Sequence, residues 1–246
     1  MKRTTVSHRA FNEGRATDIY HCLPDLEFQN QFSEIFNDQQ YERGKRGGVY
    51  VDFGANIGLT ALYFAEAREY YAYEPNPEIY ECLVKNTKHL NIKTFNSAVS
   101  YKDGTETMYK INDSPAQMMV PETKPIGKIE VPCKTPETIF RENNIEHCDV
   151  LKIDVEGFEY IILPSSGFEK VAQKIDFILG ESHFTSSGGA PYYIPKILEE
   201  YGFTTEFMEF ENLTRTLNHT EESGRKRTYT VAFPTMFYSE RKPLAK

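Results

Sequence analysis

Residues 49–58 read VYVDFGANIG, a β-branched and aromatic run that closes on Asp52 and then meets Gly54 and Gly58. An apolar run of this kind, bounded by glycine, is the pattern of a strand buried on both faces. Gly54 lets the chain turn sharply, and Gly58 permits close approach of a neighbour. The helix opening after them offers free backbone N–H groups and a positive dipole end. Working outward, residues 57–67 are rich in Ala and Leu and read as a helix, and 70–73 read as a short strand. Residues 76–89 read as a second helix with Pro77 in its first turn, where proline is tolerated. Upstream, Leu26, Phe28, Phe32, Ile35 and Phe36 fall mostly at helical spacing within 25–40, and Gly44, Gly47 and Gly48 then break the chain.

The alternation continues downstream. Residues 93–99 and 105–111 read as strands on either side of Asp103-Gly104, a hairpin-type signal, and 112–128 read as an aperiodic loop. Residues 129–134 read as a strand, Thr135-Pro136-Glu137 as a capped helix start, and 149–153 as a buried strand followed by a helix from about Glu156. A further buried strand over 175–179, a Ser/Gly-rich loop over 182–190 and a helix over 192–201 follow. Two late strands, 204–210 and 228–233, read as an antiparallel hairpin at a sheet edge. Strands alternating with helices specify the α/β class: a doubly wound, mostly parallel sheet covered on both faces. Residues 1–45 read as an N-terminal helical cap and 46–246 as the domain it covers.

The composition narrows the function. No run in the 246 residues approaches the about 20 apolar positions that a membrane helix needs, so no membrane partner is expected. The N-terminus starts basic but reaches no apolar stretch of a secretory signal, which makes the cytoplasm the expected compartment. The 4 cysteines contain no C-x-x-C pair, which removes a zinc ribbon or a thioredoxin-like motif. A net charge of -8 disfavours a nucleic-acid partner, because phosphate backbones demand a basic footprint.

In doubly wound sheets ligands sit beyond the carboxyl ends of the strands, where strand order reverses. Glu74, in YEPN (73–76), stands there, placed to accept hydrogen bonds from both hydroxyls of a ribose; capping the next helix is its competing role. A dinucleotide fingerprint would show G-x-G-x-x-G, whereas this turn shows D-x-G-x-N-x-G. An acid so close is unfavourable for a pyrophosphate and suits a cationic sulfonium, so S-adenosylmethionine (SAM) is expected rather than NAD. The segment LKIDVEGFE (151–159) delivers Asp154, Glu156 and Glu159 past another strand end. Glu156 and Glu159 also suit a helix first turn, while a buried Asp154 needs a partner or a role. In GESHF (180–184), alternation puts Glu181 and His183 on one side, and His183 or Asp154 is the candidate base. Asp154, Glu181 and His183 are also an oxygen-rich set for a divalent cation, but no spacing is metal-specific and no metal ligand is assigned.

These segments, together with NSAVS (96–100), resemble the FkbM family of class I SAM-dependent methyltransferases over residues 49–184, and IDVEGFE is the most specific element. The resemblance implies a seven-stranded Rossmann-like sheet, SAM as methyl donor, and O-methylation of a hydroxyl on a sugar, glycan or small natural product. It places Asp52, Gly54, Asn56 and Gly58 in the methionine-side loop, Glu74 at the ribose, and Ser97 and Ala98 at the adenine. Asp154 and Glu156 fall at the methyl-transfer end. Acceptor contacts are expected from the N-terminal segment and from loops 112–128 and 182–190, which the resemblance does not constrain. A non-catalytic SAM-binding scaffold and a nucleic-acid methyltransferase are the other readings; the acids converging at the later strand ends oppose the first, and the acidic balance opposes the second.

Overall fold

Val49, Val51 and Phe53 join one hydrophobic cluster while Tyr50 joins another, so the strand over 49–53 is buried on both faces by simple alternation. The computed structural model describes residues 1–7, 16–38, 40–44, 47–110, 117–118, 124–183, 193–207, 214–220, 226–232 and 235–242. The chain opens with β1 (Lys2–Ser7) and β2 (Ala16–His21), then α1 (Asp25–Phe32), which widens into a π turn over Ser33–Asn37. Next come β3 (Val49–Phe53), α2 (Leu59–Tyr63), β4 (Glu69–Tyr73), α3 (Pro77–Thr87) and β5 (Ile92–Phe95). The short strands β6 (Ala98–Val99), β7 (Gly104–Lys110), β8 (Gln117–Met118) and β9 (Gly127–Lys134) lead to α4 (Pro136–Glu142). They are followed by β10 (Cys148–Ile153), α5 (Glu159–Ile162), α6 (Ser166–Ala172), β11 (Ile175–Ser182) and α7 (Tyr193–Glu200). The last elements are β12 (Phe203–Phe207), β13 (Thr214–Thr220), β14 (Lys226–Ala232) and β15 (Thr235–Arg241).

The main sheet has seven strands in the order β12-β15-β11-β10-β3-β4-β5. The five strands from β11 to β5 are parallel, and β15 runs antiparallel to both β11 and β12. One face packs on α1, α2 and α3 through Phe28, Leu62 and Leu83, and the other packs on α4, α6 and α7 through Phe140, Phe168 and Leu198. This is the expected doubly wound α/β sheet, and strand order reverses between β3 and β10. No helix of the described residues is long and apolar enough to cross a membrane.

Three local expectations are corrected. The segment read as a helical cap begins with the antiparallel hairpin β1–β2, whose β-branched Thr4, Thr5, Val6, Thr17 and Ile19 suit a strand, and Ile19 reaches the same cluster as Tyr50. The hairpin expected around Asp103-Gly104 does not form. Instead β7 pairs with β9, Gly104 opposite Cys133, while β6 pairs with β9 in parallel, giving a small four-stranded sheet β6-β9-β7-β8. Asp103 is engaged elsewhere, its two carboxylate oxygens accepting from the Thr135 N–H and the Thr138 hydroxyl, each at 2.7 Å, which fixes the start of α4. At the C-terminus, β12 is the edge strand, but its partner is β15; the stretch expected to pair with it, β14, pairs with β13 in a separate ribbon. Met236 and Tyr238 enter one core face and Phe237 the other. Gly180 makes this possible, since a Cβ there would lie 2.2 Å from the Phe237 ring.

The centre of the sheet holds a lysine. Lys152 on β10 stands opposite Asp52 on β3, and its ammonium lies 3.3 Å from Asp52 and 3.4 Å from Asp154 while donating to the Gly54 carbonyl. Asp52 is fully buried and accepts from the Tyr70 hydroxyl at 2.7 Å. Burial opposes the charge on Lys152, but Asp52 and Asp154 outweigh it and hold its pKa above the usual lysine range. Replacing Lys152 by Met leaves Asp52 as an uncompensated buried charge, so the variant loses about 3–5 kcal/mol in denaturant unfolding. The double variant D52N/K152M recovers part of that loss. Gly54 has a φ of +83°, and a Cβ on it would lie 1.8 Å from the Asp154 carbonyl oxygen. Gly54→Ala therefore destabilises by about 2 kcal/mol or more in the same measurement.

Candidate active site

Glu74, Asp154, Glu156, Glu181 and His183 cluster at or just past the ends of β4, β10 and β11, around the β3–β10 reversal. After β3, the N–H groups of Gly54 and Ala55 donate to the Tyr73 carbonyl at 3.0 and 2.9 Å, which folds the turn back over the end of β4. Asn56 follows with a φ of 49°, a left-handed conformation that Asn tolerates, and its side-chain oxygen accepts from the Ile57 N–H at 2.7 Å. The Asn56 N–H donates to Glu74 at 3.0 Å, and the Asn76 N–H donates to the other Glu74 oxygen at 2.8 Å. Glu74 is therefore not the cap of α3. Asn76 is, accepting from the N–H groups of Glu78 and Ile79. Burial pushes the Glu74 carboxyl up to about 7, against the pull of the Asn76 and Asn56 N–H groups and of Lys152.

Glu74 opens onto a cavity of about 650 Å³, part of it solvent, whose other walls are Gly54, Asn56, Ile79, Ala98, Met108 and Phe158. One end is a carboxylate and the flanks are apolar, with Met108 supplied by the small sheet. A second cavity of about 750 Å³ lies alongside. Its walls are polar: Glu34 and Tyr41 from the N-terminal segment, Thr60, Lys152, Glu181 and His183. Asn56, Asp154 and Glu156 line both cavities and form the partition between them.

Around the partition the charges are dense. Glu156 has a φ of 54° and is followed by Gly157 at 92°, so the turn after β10 is strained, and its carboxylate reaches 3.6 Å from His183 Nε2. Asp154 lies 3.9 Å from the same nitrogen. His183 Nδ1 lies 3.1 Å from Glu159, whose oxygen also accepts from the Val155 N–H at 2.9 Å. Burial opposes the imidazolium, yet Glu159, Glu156 and Glu181 outweigh it and raise the His183 pKa well above the ordinary value. Burial and Asp154 push the Glu181 carboxyl up to about 8, and His183 works against them.

The residues expected from sequence separate into two groups. Gly54, Glu74 and Ala98 line the first cavity, Asn56, Asp154 and Glu156 line both, and Glu181 and His183 share the second as alternation expects. Asp52, Gly58 and Ser97 line neither. Asp52 is drawn to the nearest cation, Lys152. Gly58, with a φ of +89°, is a packing glycine whose added Cβ would lie 2.8 Å from Leu83. The Ser97 hydroxyl donates to the Ala98 and Pro132 carbonyls at 3.1 and 3.2 Å, tying the strand to the small sheet. The divalent-cation set considered from sequence does not converge. The atoms within 4.8 Å of one another belong to Asp154, Glu159 and His183, with Glu181 outside the group. Sequence reasoning missed Lys152 and Met108 altogether. A lysine inside the buried run VLKID was the available signal, because such a charge requires a carboxylate partner. Loops 112–128 and 182–190, expected to contact the acceptor, fall largely outside the described residues.

The chain is similar to known methyltransferases. Residues 52–213 match the family model described as the methyltransferase FkbM domain. Hexuronic acid methyltransferase AglP of Haloferax volcanii is 24% identical over 170 residues, covering 67% of this chain and 67% of that protein. Methyltransferase sdnD of Sordaria araneosa is 28% identical over 186 residues, covering 58% of this chain and 71% of that protein. Among solved structures, magnesium protoporphyrin IX methyltransferase ChlM of Synechocystis PCC 6803 aligns with a TM-score of 0.47 at 10% identity, over 88% of this chain and 81% of its own. Since the family match spans most of the chain, from the end of β3 to beyond β12, this protein belongs to the FkbM family of SAM-dependent methyltransferases.

Proposed function

We propose that this methyltransferase transfers the methyl group of SAM to a hydroxyl of a sugar, glycan or small polyol-bearing natural product. The observation that carries the reading is His183, held in a polar cavity that shares one wall with the cavity of Glu74. The first cavity fits the cofactor by its donor set. Were SAM bound there, Glu74 would offer its carboxylate to the ribose hydroxyls, Ile79, Ala98 and Met108 would offer apolar walls to the base, and Asn56 and Asp154 would offer polar groups to the remainder. When bound, SAM supplies an electrophilic methyl group on a cationic sulfur.

The chain's own residues supply alignment and a proton acceptor. Glu34, Thr60 and Glu181 line the second cavity and offer hydrogen-bond acceptors to a polyhydroxylated ligand. An aliphatic hydroxyl is a weak nucleophile at neutral pH, so a base must take its proton as the oxygen attacks; Nε2 of neutral His183 is the group for it. Alignment of the two ligands across the Asn56–Asp154–Glu156 partition accounts for the rest of the acceleration. The name of the haloarchaeal relative supports a sugar acceptor, since that protein is described as acting on hexuronic acid.

Two measurements test the reading. Calorimetric titration with SAM shows binding to the native protein that Glu74→Ala abolishes or weakens at least about tenfold, the loss of a charge-assisted bond. With Glu74 titrating near 7, the native affinity falls about tenfold per pH unit below that point and levels off above it, because the ionised carboxylate is the hydrogen-bond acceptor. In assays over hydroxylated sugars and glycans, His183→Ala keeps SAM affinity but lowers turnover about 10²–10⁴-fold. Full turnover in His183→Ala would remove the histidine from the mechanism.

A further inference from the structure

Glu159 occupies an unusual position for a residue on the first turn of a helix. Its carboxylate is fully buried, and one oxygen accepts both the Val155 N–H at 2.9 Å and a ring nitrogen of His183 at 3.1 Å. The second oxygen is buried with no hydrogen-bond partner among the described residues. An ordinary first-turn acid of a four-residue helix faces water and interacts with the dipole alone. Here the acid faces inward, and the Val155 N–H fixes which way it points.

We propose that Glu159 is the positioning residue of this site: it accepts Nδ1–H of His183 and thereby presents Nε2, as the unprotonated nitrogen, to the second cavity. The chemistry follows from what imidazole can do. A neutral ring carries one N–H, and the partner of one nitrogen decides that the other bears the lone pair. With Glu159 holding Nδ1, the lone pair lies on Nε2, the nitrogen that faces Asp154 and Glu156 across 3.9 and 3.6 Å. The inference deepens the O-methylation reading and rests on it for its catalytic consequence. In the transfer step the acceptor oxygen forms a bond to the methyl carbon as the carbon–sulfur bond breaks. The hydroxyl proton passes to Nε2, and the sulfur departs as a neutral thioether.

The surroundings of His183 also set its charge. Carboxylates face it from the turn after β10 (Asp154 and Glu156), from α5 (Glu159) and from β11 (Glu181). Lys152 on β10, in contact with Asp154, is held by Asp52 and Asp154. This environment raises the His183 pKa. The imidazolium therefore persists above the ordinary range, and the base form, with the rate, grows as pH rises through the raised value.

The test is a ring-nitrogen NMR titration of the full chain, native and Glu159→Gln, with His183→Gln to assign the signal. It is joined to pH–rate profiles for methyl transfer to a panel of neutral sugars. Gln can still accept from Nδ1–H but carries no charge, so the fold and the tautomer persist in this variant while the His183 titration moves toward acid by about one pH unit or more. The acid limb of the rate profile moves with it. Glu159→Ala, checked for folding by SAM binding, loses the tautomer preference and falls about 100-fold in turnover, and Glu159→Gln recovers part of that loss. An unchanged His183 titration in Glu159→Gln, or a native neutral ring protonated on Nε2, overturns the proposal. A shifted titration in a protein that methylates no hydroxyl acceptor keeps the Glu159–His183 coupling and instead overturns the O-methylation reading.

Discussion

The buried Asp52–Lys152–Asp154 cluster is the constraint around which the rest of this molecule is arranged. Two strands meet where the order of the sheet reverses, and the ammonium of Lys152 joins the last turn of one to the last turn of the other. A cation in an apolar sheet is tolerable only with anions beside it, and an anion as deep as Asp52 is tolerable only with a cation. Neither can move without exposing the other. Because Lys152 also donates to the Gly54 carbonyl, the glycine turn is tied to the same point. The loops that carry Asn56, Asp154 and Glu156 are thus set by one ionic knot rather than by their own sequences.

That fixity makes the strained turns possible. Asn56 and Glu156 both occupy left-handed backbone conformations, each following a turn from a central strand, and such residues cost about 1–2 kcal/mol each. They persist because their neighbours leave no alternative. Gly54 has no room for a side chain against the Asp154 carbonyl, and the Val155 N–H is held by Glu159. The outcome is a partition whose side chains face two cavities at once. Positioning of this kind, built on strand ends rather than on free loops, is what in-line group transfer demands.

The two cavities differ in kind, and so do the pieces that wall them. The first is closed by the small sheet, through Ala98 and Met108, and its apolar flanks suit a nucleoside. The second is walled by Glu34 and Tyr41 from the N-terminal segment and by Glu181 and His183 from the end of β11. Glu34 lies in the π turn after α1 and Met108 in the small sheet, so elements outside the parallel strands complete both cavities.

Much of this was legible in the sequence. The continuous apolar run in VYVDF, glycine after the strand, and Pro77 and Thr135 at helix starts indicate the order of the βα units, because these are local effects of burial, backbone sterics and capping. Glu74, Asp154 and His183 are visible as acids and a base at strand ends, since a buried strand must emerge at the cleft. What the tertiary structure alone decided is partnership. Asp52 reads as a ligand-facing acid until Lys152, a hundred residues away in the chain, stands opposite it in the sheet. The strand β15, not expected from the sequence, enters between β11 and β12, where Gly180 leaves space for Phe237. Glu159 reads as a first-turn charge until α5 turns it inward onto His183. Pattern marks the central strands and the helices that follow them. Which charge meets which depends on register and crossover, and those are settled only when non-local strands pack.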